Sequence, residues 1–327
     1  MSRPTIFAPD RVAGAKVVGF GEHRGSRIVT NDDLSAHLDT NDEWITRRVG
    51  ISERRFAAAD ETPVTMGILA AAKALTDAGM TASDIDTIIV ATCTMPSQIP
   101  HAATQIAAGL EIAAPGSFDI NAACAGFCYG LGVASHAITS GSARNVLLVG
   151  TEKLTDWIDP TDRGNAIIFG DGAGAAIITA SEVPGVGPIA WGSSEKLTST
   201  IHVKDRNSFI YQEGQSVYRW ASTEIAPVAI RAAAIAGVEL ADIDVLVTHQ
   251  ANLRIVEAIA RRVREAGARD DIIVADDIIT TGNTSSASIP IAIARMRAAG
   301  TVKSGALVLS VGFGAGLTYA GIVFRMP

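Results

Sequence analysis

The chain has 327 residues, 48% of them hydrophobic, and a net charge of −7. That is enough to bury one large core or two ordinary ones, and the acidic balance excludes nucleic acid as the main partner, because phosphate binding needs a basic surface. Three cysteines (Cys93, Cys124 and Cys128) are too few and too unevenly spaced for a disulfide framework; with no C-x-x-C pair and no histidine at metal-ligand spacing, they fit a reducing, cytoplasmic setting without a metal site.

From the N-terminus, MSRPTIFAPDRVAG has no continuous apolar stretch and no signal-peptide shape. Strands are expected at 86–92, 116–121, 145–151, 166–180, 244–249, 305–312 and 316–325, and helices at 63–78, 102–112, 125–140, 221–236, 251–267 and 285–299. Pro227 marks a kink or a later helix start, and 192–213 shows no clean period and reads as loop. Two uncharged stretches, 120–143 and 304–324, are interrupted by glycine and polar residues and read as buried core rather than membrane spans.

Alternating strands and helices imply an α/β protein with buried strands. The pattern also repeats. AGMTASDIDTIIV (78–90) is echoed by AGVELADIDVLVT (236–248), and FGDGAGAAIIT (169–179) by GFGAGLTYAGIV (312–323), in the same order. The chain therefore reads as two related halves, 1–180 carrying a candidate nucleophile and 181–327 carrying its partners.

The nucleophile candidate is Cys124, between an apolar strand and a helix of small residues. Unpaired backbone N–H groups and the helix dipole favour a thiolate at that position. A buried core cysteine is the competing reading. Cys128, one helical turn deeper, and Cys93, at a strand end, read as structural. His249 ends the strand IDVLVTH, where ligand-binding groups gather in α/β layers, whereas His23, His37, His101, His136 and His202 read as surface or packing residues. Asn283 sits in the uncharged segment TTGNTSSAS, as a turn residue or a buried polar group. The glycine-rich FGDGAGA and GFGAG segments lack the features of phosphate loops and instead suit close backbone approach to a reacting group, with the Ala315 N–H joining that of Cys124 in an oxyanion hole.

NDEWITRRVGISERR (41–55), AACAGF (122–127), DPTDRGNAIIFGDGAGA (159–175), HQANLRI (249–255), GNTSSASIP (282–290) and GFGAGLTYA (312–320) together resemble the β-ketoacyl-acyl-carrier-protein synthase III family, in family order. The resemblance implies a thiolase-like fold, two duplicated α/β halves in a layered αβαβα core. It implies Cys124 as the nucleophile acylated from acyl-CoA, and His249 and Asn283 as the pair promoting decarboxylation of malonyl-acyl-carrier protein. It further implies that Trp44 and Arg163, with Arg48 beside them, hold the CoA adenine and that Asn252 lines the pantetheine tunnel. By the same resemblance Ile99 and Gln212 bound the acyl pocket, Ile99 from the neighbouring subunit of a homodimer, and Arg254 leads a basic helix region, with Arg261, Arg262 and Arg264, that docks the carrier protein. No cofactor beyond acyl-CoA as substrate is implied. Two departures touch starter and acceptor choice: a short segment at 180–213, and Gln212 at a position commonly apolar. A relative passing its acyl group to another acceptor, a papain-type Cys-His-Asn hydrolase and a non-catalytic partner subunit are the alternatives. The absence of C-G-S-C-W around Cys124 counts against the hydrolase, and the intact cysteine against the inactive partner.

Overall fold

A computed structural model describes residues 12–327, so most of the segment without a signal-peptide pattern lies outside it. Ten strands build two sheets. In chain order they are β1 (Gly14–Arg24), β2 (Thr87–Ala91), β3 (Gly116–Ile120), β4 (Asn145–Lys153), β5 (Asp171–Ser181), β6 (Ala190–Ser193), β7 (Val245–Thr248), β8 (Ile273–Val274), β9 (Leu307–Gly314) and β10 (Thr318–Arg325). The first sheet runs β1-β5-β4-β2-β3 and the second β6-β10-β9-β7-β8. In each, the first strand of the half pairs antiparallel with its last, the last antiparallel with the fourth, and the rest are parallel. The two halves thus share one topology, which accounts for the echoes.

Six helices complete the layers: α1 (Pro63–Ala78), α2 (Ala102–Gly109), α3 (Gly126–Thr139), α4 (Gly214–Ile235), α5 (Leu253–Glu265) and α6 (Ser288–Ala298). The α1 boundaries follow from sequence chemistry. Thr62 and Thr65 form a capping box, Pro63 occupies the first turn, and Gly79 closes the helix at φ 63°. Gly237 closes the corresponding turn after α4 at φ 67°. Helices α3 and α6 lie between the sheets, where Phe127, Leu131, Ile289 and Ile293 pack with Val247 and Phe324. The outer helices cover the far faces with alanine-rich surfaces such as Ala70, Ala71 and Ala74 against β1, β5 and β4, and Ala229, Ala232 and Ala233 against β9 and β10. Small residues bring helix and sheet backbones close, so a core poor in aromatics still fills its volume. Among the described residues no helix is long and apolar enough to cross a membrane.

Several boundaries differ from expectation. The strand expected from 166 starts only at Asp171, because Asp162 caps a helical turn at Arg163–Ala166 through the Gly164 N–H. Helix α4 starts at Gly214 and carries Pro227 in its interior. Within 192–213, Ile201–His202 and Tyr211–Gln212 pair as a small hairpin. Strand β1 and the helix Asp42–Val49 were not anticipated; the latter is capped by Asn41 and stopped by Gly50 at φ 73°.

Candidate active site

The sheets present the C-terminal ends of β2, β4, β7 and β9 to one cavity of about 860 Å³, lined from both halves by Cys124, His249, Asn283 and Ala315. Cys124 lies in the tight turn Ala123–Ala125 that leads into α3, after Ala123 at φ 45°. Ala is uncommon in that left-handed region, so the turn is held by its surroundings. The backbone N–H groups of Cys124 and Ala315 and the Ser285 hydroxyl favour the ionised form of the Cys124 sulfur. Burial nevertheless outweighs them and, with the Glu152 carboxylate nearby, pushes the thiol up to about 12. The expected helix-terminus thiolate is therefore corrected: in the free protein Cys124 is a thiol, and the amides are aimed at it without ionising it.

Gly314 lets β9 pass beside that sulfur. A Cβ there would lie 2.8 Å from Cys124 Sγ. Its φ of 177° is extended backbone open to any residue, so the constraint is space alone. Gly314→Ala is expected to lower the melting temperature, since its Cβ would also lie 2.7 Å from Cys124 Cβ, and to slow Cys124 acylation about 10²-fold in the protein that folds, the scale of a misplaced reacting atom; rapid-quench acylation beside a thermal melt checks this. The expectation for FGDGAGA fails. A Cβ on Gly174 would meet Pro290 and Ile291, and one on Gly172 would meet Ile291 and the His23 carbonyl, so these glycines seat β5 against α6 and face no reacting group.

His249 is buried beside Phe313, whose ring centroid is 5.3 Å away. Its Nδ1 is 2.8 Å from Ser288 Oγ. Ser288 Oγ also accepts the Gln250 N–H at 3.3 Å, an arrangement that fits a serine proton turned to Nδ1 and an imidazole N–H on Nε2. Burial lowers the imidazolium pKa to about 3, so the ring is neutral at physiological pH. Asn283 is set the same way. Its Oδ1 accepts the Ser285 N–H at 2.8 Å, leaving the amide NH2 as the free group, while its backbone bridges the halves through Ile168 and Gly170. Both side chains are thus fixed as hydrogen-bond donors before any substrate arrives.

Of the three residues expected to hold the adenine, Arg48 lines the cavity and Trp44 and Arg163 do not; Arg163 and Arg48 place their guanidinium carbons 4.8 and 5.1 Å from the Trp44 ring centre. Asn252 lines the cavity and caps α5 by accepting the Arg254 N–H at 2.8 Å. Gln212 also lines the cavity, from the small hairpin. Ile99 does not: it is 86% exposed on the outside of this chain. Arg254 is already engaged, donating to the Thr46 and Arg47 carbonyls at 3.2 and 3.3 Å and to Glu257 at 3.1 Å. It ties α5 to the helix that carries Trp44.

Cys128 is fully buried in the central layer, as expected of a core residue. Cys93 is a correction, since it lines the cavity beside Ser285 and Glu152. His202 lines it too, its ring tilted against Tyr211 with centroids 5.1 Å apart. Ser285, Ser288 and Glu152 were missed altogether; the polarity of TSSAS was the one visible signal for the two serines. Among the described residues no cluster of His, Cys, Asp and Glu could hold a metal ion.

Two α/β halves of identical strand order, closed on a shared helical layer with the cysteine at its entry, are a thiolase-like, acyl-transferring condensing enzyme. The family models for 3-oxoacyl-[acyl-carrier-protein] synthase III and for its C-terminal part match residues 118–195 and 233–326. Over 317 residues the chain is 43% identical to the β-ketoacyl-[acyl-carrier-protein] synthase III 4 of Streptomyces coelicolor, covering 96% of this chain and 99% of that one. It is 44% identical over 329 residues to the mycobacterial β-ketoacyl-[acyl-carrier-protein] synthase III of Mycobacterium tuberculosis, covering 96% and 97%. Among solved structures, the priming β-ketosynthase of the R1128 polyketide pathway superposes with a TM-score of 0.95 at 39% identity over 99% of both chains. The chain belongs to the β-ketoacyl-acyl-carrier-protein synthase III family.

Proposed function

We propose a ping-pong condensation in which acyl-CoA acylates Cys124 and malonyl-acyl-carrier protein then takes the acyl group with loss of CO2. The observation that carries this reading is the pair of preset donors, His249 Nε2–H and the Asn283 amide, in one cavity with the cysteine. Decarboxylation of a malonyl thioester leaves an enolate whose oxygen needs donors fixed in advance. Neither a neutral imidazole nor a carboxamide is acid enough to quench the carbanion before it attacks the acyl-Cys. The amides of Cys124 and Ala315 hold the tetrahedral oxyanion. No cofactor enters the scheme.

Trp44 and Arg163 would receive the CoA adenine between them, which requires Arg163 to leave the indole it covers, with Arg48 alongside and Asn252 along the pantetheine path. Trp44→Ala is expected to raise KM for acyl-CoA about tenfold and to leave kcat nearly unchanged, because the contact is equal in ground and transition states; an acyl-pantetheine substrate, which lacks the adenine, is expected to show no such change. Carrier-protein docking is assigned to the arginine face around Arg254, with Arg254 holding the mouth together as well as contributing charge. The exposed Ile99 would bound the acyl pocket of a second copy in a homodimer, opposite Gln212. The N-terminal half to residue 180 supplies the nucleophile and the remainder the decarboxylation pair, in a cytoplasmic setting.

The deciding experiment is intact-protein mass spectrometry with a panel of short acyl-CoAs, before and after malonyl-acyl-carrier protein is added. An adduct on Cys124 that is discharged with release of β-ketoacyl-carrier protein supports the reading. A stable adduct that malonyl-carrier protein leaves in place favours the second reading, transfer to a different acceptor, for which the polar Gln212 in the cavity is the specific observation.

A further inference from the structure

Acylation leaves a proton to place. The free protein holds Cys124 as a thiol, so its proton must move before sulfur attacks the thioester. His249 is a poor destination: Nδ1 is occupied by Ser288, Nε2 carries a hydrogen, and the ring resists a second proton. A different acceptor lies behind the sulfur.

Ser285, held at φ 49°, lines the same cavity wall as Cys124 and lies 3.8 Å from Cys93 Sγ. Cys93 Sγ in turn donates to Glu152 Oε1 at 3.4 Å. Glu152 is fully buried and is ringed by donors: the Cys93 N–H at 3.1 Å, Thr94 Oγ1 at 2.7 Å and Ser286 Oγ at 2.7 Å. Such a ring supports the charged form, while burial favours the neutral one. Ser286 makes both states comfortable. Its Oγ is 2.7 Å from Glu152 Oε1 and 2.8 Å from the Ala91 carbonyl, yet a hydroxyl has one proton. With Glu152 ionised, Ser286 donates to the carboxylate. With Glu152 protonated, the acid donates to Ser286 and Ser286 turns its proton to Ala91. The carboxylate can take up a proton without any heavy atom moving.

We propose that Glu152 is the proton acceptor for Cys124, reached through Ser285 and Cys93. The Cys124 S–H bond breaks as its proton passes to Ser285 Oγ, the serine proton passes to Cys93 Sγ, and the Cys93 proton passes to Glu152 Oε1. The thiolate adds to the thioester carbonyl, and collapse of the intermediate breaks the bond to the CoA sulfur. The proton then returns through Cys93 and Ser285 to the departing thiolate, giving free CoA thiol and restoring the carboxylate. This rests on Cys124 being the nucleophile proposed above.

The test is the single-turnover rate of Cys124 acylation, read by rapid quench and intact mass, with thermal melts as a folding control. Glu152→Gln keeps the shape and removes the acceptor, and is expected to slow acylation about 10²-fold, the usual scale of a lost general base. Were the carboxylate acting only as a nearby negative charge, its removal would ease thiolate formation, so acylation as fast as wild type or faster overturns the proposal. Cys93→Ala is expected to slow acylation as Glu152→Gln does, and Cys93→Ser, which restores a group that both accepts and donates, to recover it. A serine variant as slow as the alanine variant overturns the relay even if Glu152→Gln fails to fold. Absence of any adduct on wild-type Cys124 is a separate result and removes the nucleophile reading itself.

Discussion

Cys124→Ala is expected to give no acyl adduct from any acyl-CoA and to lower overall condensation about 10⁴-fold or more, as removing a covalent nucleophile does elsewhere. The reason is local. The amides of Cys124 and Ala315 and the Ser285 hydroxyl favour the ionised form of Cys124, and Gly314 leaves the space beside its sulfur. Cys93 shares the cavity, but it faces a buried carboxylate, and burial with that charge raises its thiol pKa further. The Ala side chain keeps the fold and the two preset donors, so the variant should still bind acyl-CoA. Mass spectrometry for the adduct and calorimetry for acyl-CoA binding separate the two. An adduct that survives in Cys124→Ala would move the nucleophile to Cys93 and undo the assignment.

What could be read from the chain alone divides along a physical line. Local signals survived: Gly79 and Gly237 close their helices as their position before a polar turn suggests, and the echo of 78–90 in 236–248 becomes one topology used twice. The catalytic candidates were legible because each stands at an abrupt change of pattern, a strand ending in His249 or a small-residue helix starting after Cys124. Groups assembled across the fold were not legible. Glu152 ends an apolar strand as any solvent-facing acid might, and its partners Cys93 and Ser286 are 59 and 134 positions away. Nothing in LLVGTEK marks that carboxylate as buried. The charge state of Cys124 was misread for a related reason: the helix terminus is visible in sequence, whereas the depth of the surrounding protein is not, and desolvation is the larger effect. Arg254 likewise looked like a free cation until the carbonyls of Thr46 and Arg47 were found against it.

Asn283 offers the sharper dissection of the two half-reactions. Asn283→Ala removes a donor aimed at the developing enolate, so malonyl decarboxylation and condensation are expected to fall about 10²- to 10³-fold. It also deletes the Oδ1 that accepts the Ser285 N–H, leaving a buried donor unpaired at a cost of about 1–3 kcal/mol and loosening the serine that touches Cys124. A modest slowing of acylation in the alanine variant would therefore be structural. Asn283→Asp separates the two effects, because a carboxylate keeps the acceptor for Ser285 and presents no N–H to the enolate. Acylation in Asn283→Asp is expected to fall by less than condensation, because the added negative charge opposes thiolate formation at Cys124 as well as the enolate, and condensation is expected to be as low as in the alanine variant or lower. Measured on pre-acylated enzyme with malonyl-carrier protein, equal loss of both half-reactions in Asn283→Asp would mean that Asn283 serves the nucleophile as much as the enolate.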